Sequence, residues 1–191
     1  MTSYKVHTSN SSAVLTFSMN ALLVILGSAF LSLMSHLSVP LYGSVVPQTM
    51  QTLGVFLISS ALGKRIGTLS IIAYLLEGTC GFPVFAGGIS LPLWFVSPTA
   101  GFLFSFPVAC FCMGWILERI KNPSFFKTLL AVFSAQIIIW LFGSIWLSFY
   151  CGPKIAFYTG IIPFIPGAVF KCIAATSLIH GVYLGRDAIR R

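Results

Sequence analysis

The chain has 191 residues, 57% of them hydrophobic and only 7% charged, with mean hydropathy +0.97 and a formal net charge of +8. A soluble domain carries roughly 25% charged residues, so this one could not cover a water-facing surface, and an integral membrane protein is the class left. The first dozen residues are polar. The apolar run that follows, Val14 to Leu33, has the length of a spanning helix, about 20 residues. It is too long for a signal-peptide core and has no small-residue cleavage site after it.

Further apolar segments place the spans at roughly 14–34, 49–63, 66–78, 98–118, 128–150 and 166–185, six helices in one domain covering 1–191. The second and third are short and meet at Gly63-Lys64-Arg65; a helical hairpin inserting only partway fits their length as well. The strict alternation of a barrel strand is absent, so the fold class is an all-α membrane bundle. No linker, low-complexity segment or internal repeat divides it.

Nine of the eleven Lys and Arg fall on one side of this topology: Lys5, Lys64, Arg65, Arg119, Lys121, Lys127, Arg186, Arg190 and Arg191. The opposite loops hold Lys154, and Lys171 lies inside a helix. The positive-inside rule then puts both termini in the cytoplasm of a multi-pass plasma-membrane protein. The positive charge is thus topological, and nucleic acid is not among the expected partners; membrane lipids are.

In that orientation the second, fourth and sixth helices start at the outer face, each with proline at or just before its start: Pro47, Pro98 and Pro166. Ser97 stands where an N-cap hydroxyl would serve the fourth. Helix N-termini carry free N–H groups and partial positive charge, which favour an anion; water or loop backbone can satisfy them too. Lys171 lies in the second turn after Pro166-Gly167, within an apolar helix. An ionisable residue there faces a cavity or partner, unless its short distance from the helix start lets it snorkel. Beside helix N-termini, it suits a ligand carboxylate. Between the third and fourth helices, 82–97 is an uncharged loop with Phe85, Trp94 and two prolines, a composition that fits an aromatic lid over a ligand or interfacial anchoring.

Several motifs align with one family. Val46-Pro47, Thr49, Gln51-Thr52-Leu53-Gly54, Leu62-Gly63, Tyr74 and Phe82-Pro83-Val84-Phe85-Ala86-Gly87-Gly88 occur in an order and spacing that resemble the BioY family, the biotin-specific substrate-binding (S) subunits of energy-coupling-factor (ECF) transporters. Pro166-Gly167 with Lys171 looks like that family's proline-glycine-acid-x-x-lysine motif, with Ala168 where the family usually has aspartate. Pro98-Thr99-Ala100-Gly101-Phe102 is a fainter match that lacks the family's tyrosine hydroxyl.

The resemblance implies an ECF S-component-like bundle that captures biotin from outside and translocates it, with biotin as cargo and no cofactor. The coupling transmembrane subunit and ATPase subunits would be other chains. This chain has no GxxxxGK[ST] phosphate loop of its own. The implied substrate-binding residues are Lys171, Tyr74, Phe85, Ala86, Gly87, Gly88, Thr99 and Ala168. Glu77 is added because it can replace the missing acid toward the ureido N–H groups, if it is not an exposed helix-end residue. Small residues on the first helix, Ser28 and Ser32, make a close-packing face; in the family this helix docks onto the coupling subunit, and packing within the bundle is the alternative. Other vitamins, or biotin uptake without ATPases, are the rival readings. An intramembrane enzyme would need converging nucleophile and base residues, and none is visible. Cys80 and Cys151 both map to outer loops, so their pairing is open.

Overall fold

The computed structural model describes residues 7–41, 44, 46–88, 92–120 and 123–189, with side chains described from 14 to 185 within these. Lys5, Lys121, Arg190 and Arg191 lie outside the described residues, as does the Arg186 side chain. The helices are α1 (His7–His36), α2 (Gln51–Thr79), α3 (Ala100–Arg119), α4 (Phe125–Cys151), α5 (Pro153–Gly160) and α6 (Ile165–Ile189). Strands β1 (Ser38–Val39) and β2 (Gln48–Thr49) pair antiparallel, with Ser38 opposite Thr49. Among the described residues, five helical stretches are long and apolar enough to cross a membrane: Val14–His36, Gln51–Thr79, Ala100–Arg119, Phe125–Cys151 and Pro153–Gly185.

α2 covers both short segments expected at 49–63 and 66–78, but it is not straight. Gly63 has φ 72° and ψ 177°, a conformation outside the helical well and closed to L side chains. Gln51 Nε2 donates to the Tyr74 hydroxyl at 2.5 Å. In a straight helix residues that far apart in sequence would stand roughly 34 Å apart. The chain therefore reverses at Gly63 and lays Lys64–Thr79 back along Gln51–Leu62.

The reversal is fixed to α3. Lys64 Nζ pairs with Glu118 Oε2 at 2.7 Å, and the Lys64 backbone N–H donates to Glu118 Oε1 at 3.1 Å. α3 ends one residue later, and the chain re-enters at α4, where Ser124 Oγ accepts from the Lys127 N–H as an N-cap. Lys64, Arg119 and Lys127 thus mark one basic end of the bundle. α2 packs on α1 and α3, α3 on α4, and α4 on α6, around a core that includes Phe56, Ile71, Met113, Val132 and Leu147.

Two features depart from expectation. The loop after α4 holds α5, because Gly152 (φ 81°) turns the chain back and Gly160 packs against Leu147 of α4. Ser97 does not cap α3: the helix starts at Ala100, and the Ser97 hydroxyl donates to the Trp94 carbonyl at 2.7 Å.

Segment lengths create the recess that matters for function. α3 has 20 residues and rises about 30 Å, whereas Gln51–Leu62 rises only about 18 Å. Both reach the same basic end, so the α2 limb stops short at the opposite end and leaves room there.

Candidate ligand-binding site

That room is a cavity of about 220 Å³. Ordinary small-molecule clefts run ~300–1,000 Å³, so only a small solute fits. Val46 and Pro47 before β2, Phe85 and Ala86, Trp94, and Phe164 contribute to its wall. Phe102 and Phe106 of α3, Gln136 and Trp140 of α4, and Ala168 and Lys171 of α6 also line it.

The aromatic segment at the cavity is held by its own contacts. Phe85 meets Tyr74 edge-on at 5.5 Å and Trp94 at 6.0 Å between ring centroids. Trp94 Nε1 donates to Thr79 Oγ1 at 2.9 Å. Trp146 Nε1 donates to the Ser97 carbonyl at 3.0 Å, and the Tyr150 hydroxyl to the Val96 carbonyl at 2.5 Å. Residues 94–97 are thereby tied to both α2 and α4.

Lys171 is 5% exposed and is the one charged side chain lining the cavity among the described residues. Its Nζ donates to the Thr49 carbonyl at 3.0 Å. β2 can lie over the start of α6 because Gly167 has no Cβ, which would otherwise run into the Gln48 amide. Ala168, 3% exposed, adds a methyl group to the wall.

Lys171, Phe85, Ala86, Thr99 and Ala168 come together at the cavity. Tyr74 is fully buried one layer behind, holding Gln51, which itself faces the cavity. Gly87 and Gly88 form a tight turn with positive φ, and Gly88 sits beside the His36 ring rather than on the cavity wall. Glu77 also lies away from it: its Oε1 accepts from Ser28 Oγ at 2.7 Å, between α2 and α1. Ser28 is 1% exposed and so is turned into the bundle, while Ser32 is half-buried. Cys80 and Cys151 are both free thiols.

Sequence reasoning passed over Thr52, Gln136 and Trp140 as cavity residues. Gln136 carried a signal: it is the sole amide in the apolar run 129–150. A buried polar group needs a partner, which makes such a residue conspicuous. Trp140 carried none, because an aromatic in an apolar helix reads the same on any face.

The family model for the BioY family matches residues 6–186. The chain is 34% identical over 169 residues to the biotin transporter BioY2 of Lactococcus lactis subsp. cremoris (strain MG1363), covering 86% of this chain and 88% of that protein. It is 36% identical over 143 residues to the biotin transporter BioY of Thermotoga maritima, covering 73% of this chain and 80% of that one. Its fold matches the crystal structure of the S-component for biotin from an ECF-type ABC transporter with TM-score 0.78, over 93% of this chain and 94% of that one, at 24% identity. With the match running through nearly the whole length and through the elements that build the cavity, the chain belongs to the BioY family.

Proposed function

We propose that this chain binds biotin at the face away from its basic loops and translocates it as the S subunit of an ECF-type uptake system. The observation that carries the reading is Lys171, a buried ammonium in an aromatic cavity whose described lining contains no carboxylate. A buried charge needs a counter-charge, and none comes from the wall. The carboxylate on biotin's valeryl tail supplies it, and the faces of the thin bicyclic ring suit the aromatic remainder.

The proposed topology has six crossings, counting the two limbs of α2 as one each, with both termini in the cytoplasm. Lys64, Arg119 and Lys127 at one end and Lys154 at the other agree with the positive-inside rule. Energy comes from ATPase subunits through a coupling membrane subunit, since this chain has no phosphate loop. Of Ser28 and Ser32, half-buried Ser32 is the one left open to that subunit.

The test is binding by the purified, detergent-extracted chain. It should retain radiolabelled biotin stoichiometrically without nucleotide, and thiamine or riboflavin should not compete. No retained biotin would move the assignment to another small vitamin.

A further inference from the structure

Six polar side chains line the cavity: Thr49, Gln51, Thr52, Thr99, Gln136 and Lys171. Four of them are engaged with the protein. Thr49 Oγ1 donates to Gln51 Oε1 at 3.0 Å, Gln51 donates to Tyr74, Thr99 shares a hydrogen bond with Ser97, and Lys171 donates to Thr49. The other two are not: Gln136 Oε1 and Thr52 Oγ1 are buried without a hydrogen-bond partner among the described residues. Gln136 is 2% exposed, in the middle of α4.

Leaving a buried acceptor unpaired is costly, so each such group needs an explanation; among the described residues Gln48, Ser144 and His180 carry others away from the cavity wall, while Gln136 and Thr52 are the two whose residues line it. The two orphans belong to residues on different walls of one cavity, Gln136 on α4 and Thr52 on the first limb of α2. A ligand group that satisfies both needs donors on two sides, and N–H groups on a compact, uncharged ring supply them without a further charge. A cyclic urea does this, with two N–H groups on opposite sides of one carbonyl, one for each acceptor.

We propose that Gln136 and Thr52 are the specificity-determining pair that reads the ureido ring of the ligand. Gln136 Oε1 accepts one ureido N–H, and Thr52 Oγ1 meets the other side of the ring. The assignment rests on the biotin reading above and extends it: Lys171 fixes the charged tail, and this neutral pair fixes the ring without the aspartate that Ala168 replaces. Because the pair is uncharged, it adds no second charge for the membrane interior to bear.

The experiment is a binding cycle on the purified full chain, using biotin and biotin methylated on both ureido nitrogens. Gln136→Met keeps length and volume while removing the acceptor; Thr52→Val keeps shape while removing the hydroxyl. The wild-type chain should prefer biotin over the methylated analogue. Each variant should lose about 5- to 150-fold in biotin affinity, the range for stranding a ligand donor, with little change for the analogue. The preference should shrink accordingly. A thermal melt checks folding, and Gln136→Asn, which shortens the reach but keeps the amide, gives a second reading if Gln136→Met is unstable. Unchanged preference for biotin in folded Gln136 and Thr52 variants overturns the pair while leaving biotin binding intact. A wild-type chain that binds no biotin overturns both assignments.

Discussion

Lys171 and Thr49, 122 positions apart, are joined by a 3.0 Å bond from the Lys171 ammonium to the Thr49 carbonyl. That contact ties the second turn of α6 to β2 and aims a charge at the cavity between them. One carbonyl does not neutralise an ammonium, and the counter-charge proposed above is the carboxylate of biotin. A charge-assisted hydrogen bond contributes about 1.5–3 kcal/mol net, or about 10- to 150-fold in affinity. Lys171→Met keeps the apolar stem and removes the charge. Biotin affinity should fall by that factor in calorimetry, while biotin amide, with a neutral tail, binds both proteins alike. Equal loss for acid and amide would move Lys171 to another part of the ligand. No change for either would remove the main anchor of the site.

Topology is tested from the two ends. Arg65 is exposed beside the Gly63 reversal and outside the Lys64–Glu118 ion pair, so Arg65→Cys perturbs little. Lys154 is exposed at the start of α5. A membrane-impermeant thiol reagent should reach the cysteine at 65 only from the cytoplasm and the one at 154 only from outside, in a background free of native cysteines. Labelling of both from one side is incompatible with six crossings.

Much of the bundle was legible because hydropathy reports segments directly. Spans expected at 98–118, 128–150 and 166–185 are found as α3, α4 and α6 within a few residues. The reversal in α2 was legible too, through Gly63 at the meeting of two short apolar runs. α5 was hidden, since a short helix folded against α4 has no hydropathy period distinct from a loop. At the site, motifs pointed to Phe85, Ala86, Thr99, Ala168 and Lys171, all on the cavity wall. The motif also grouped Gly87 and Gly88 there, and Glu77 was added as a stand-in for the acid missing at Ala168, because sequence does not reveal which face of a helix or turn is presented. Glu77 is on the face toward α1.

The Ser28–Glu77 bond gives its own prediction. Their 2.7 Å contact couples α1 to the second limb of α2, away from the cavity. Glu77→Gln retains a group that accepts from Ser28, so biotin affinity should stay within about twofold, the effect being remote. Ser28→Leu puts a large side chain into a site that is 1% exposed, which overpacks the helix contact and typically costs about 1–3 kcal/mol. Lower melting temperature with Ser28→Leu, and near-normal binding with Glu77→Gln, is the expected pair of results. A selective loss of biotin over analogues lacking ureido N–H groups in Glu77→Gln would return Glu77 to the site.

Two glycine substitutions should move stability in opposite directions. Gly63 reverses α2 with φ 72° and ψ 177°, and a Cβ there would also lie 3.2 Å from Glu118 Oε1, the oxygen that holds the Lys64 N–H. An alanine forced into that region costs about 1–3 kcal/mol, and it pushes on the contact that fastens the reversal to α3. Gly181 is inside α6 with open space around its Cβ position. Alanine there gains about 1 kcal/mol of helix propensity against no clash. In detergent, Gly63→Ala should lower the melting temperature and Gly181→Ala should raise it or leave it unchanged. Folded Gly63→Ala protein, assayed well below its melting point, should still bind biotin, because the cavity lies at the far end of the Gln51–Leu62 limb. If Gly63→Ala is as stable as the wild type, α2 does not reverse through a glycine-only conformation, and the short limb that leaves room for the cavity needs another cause.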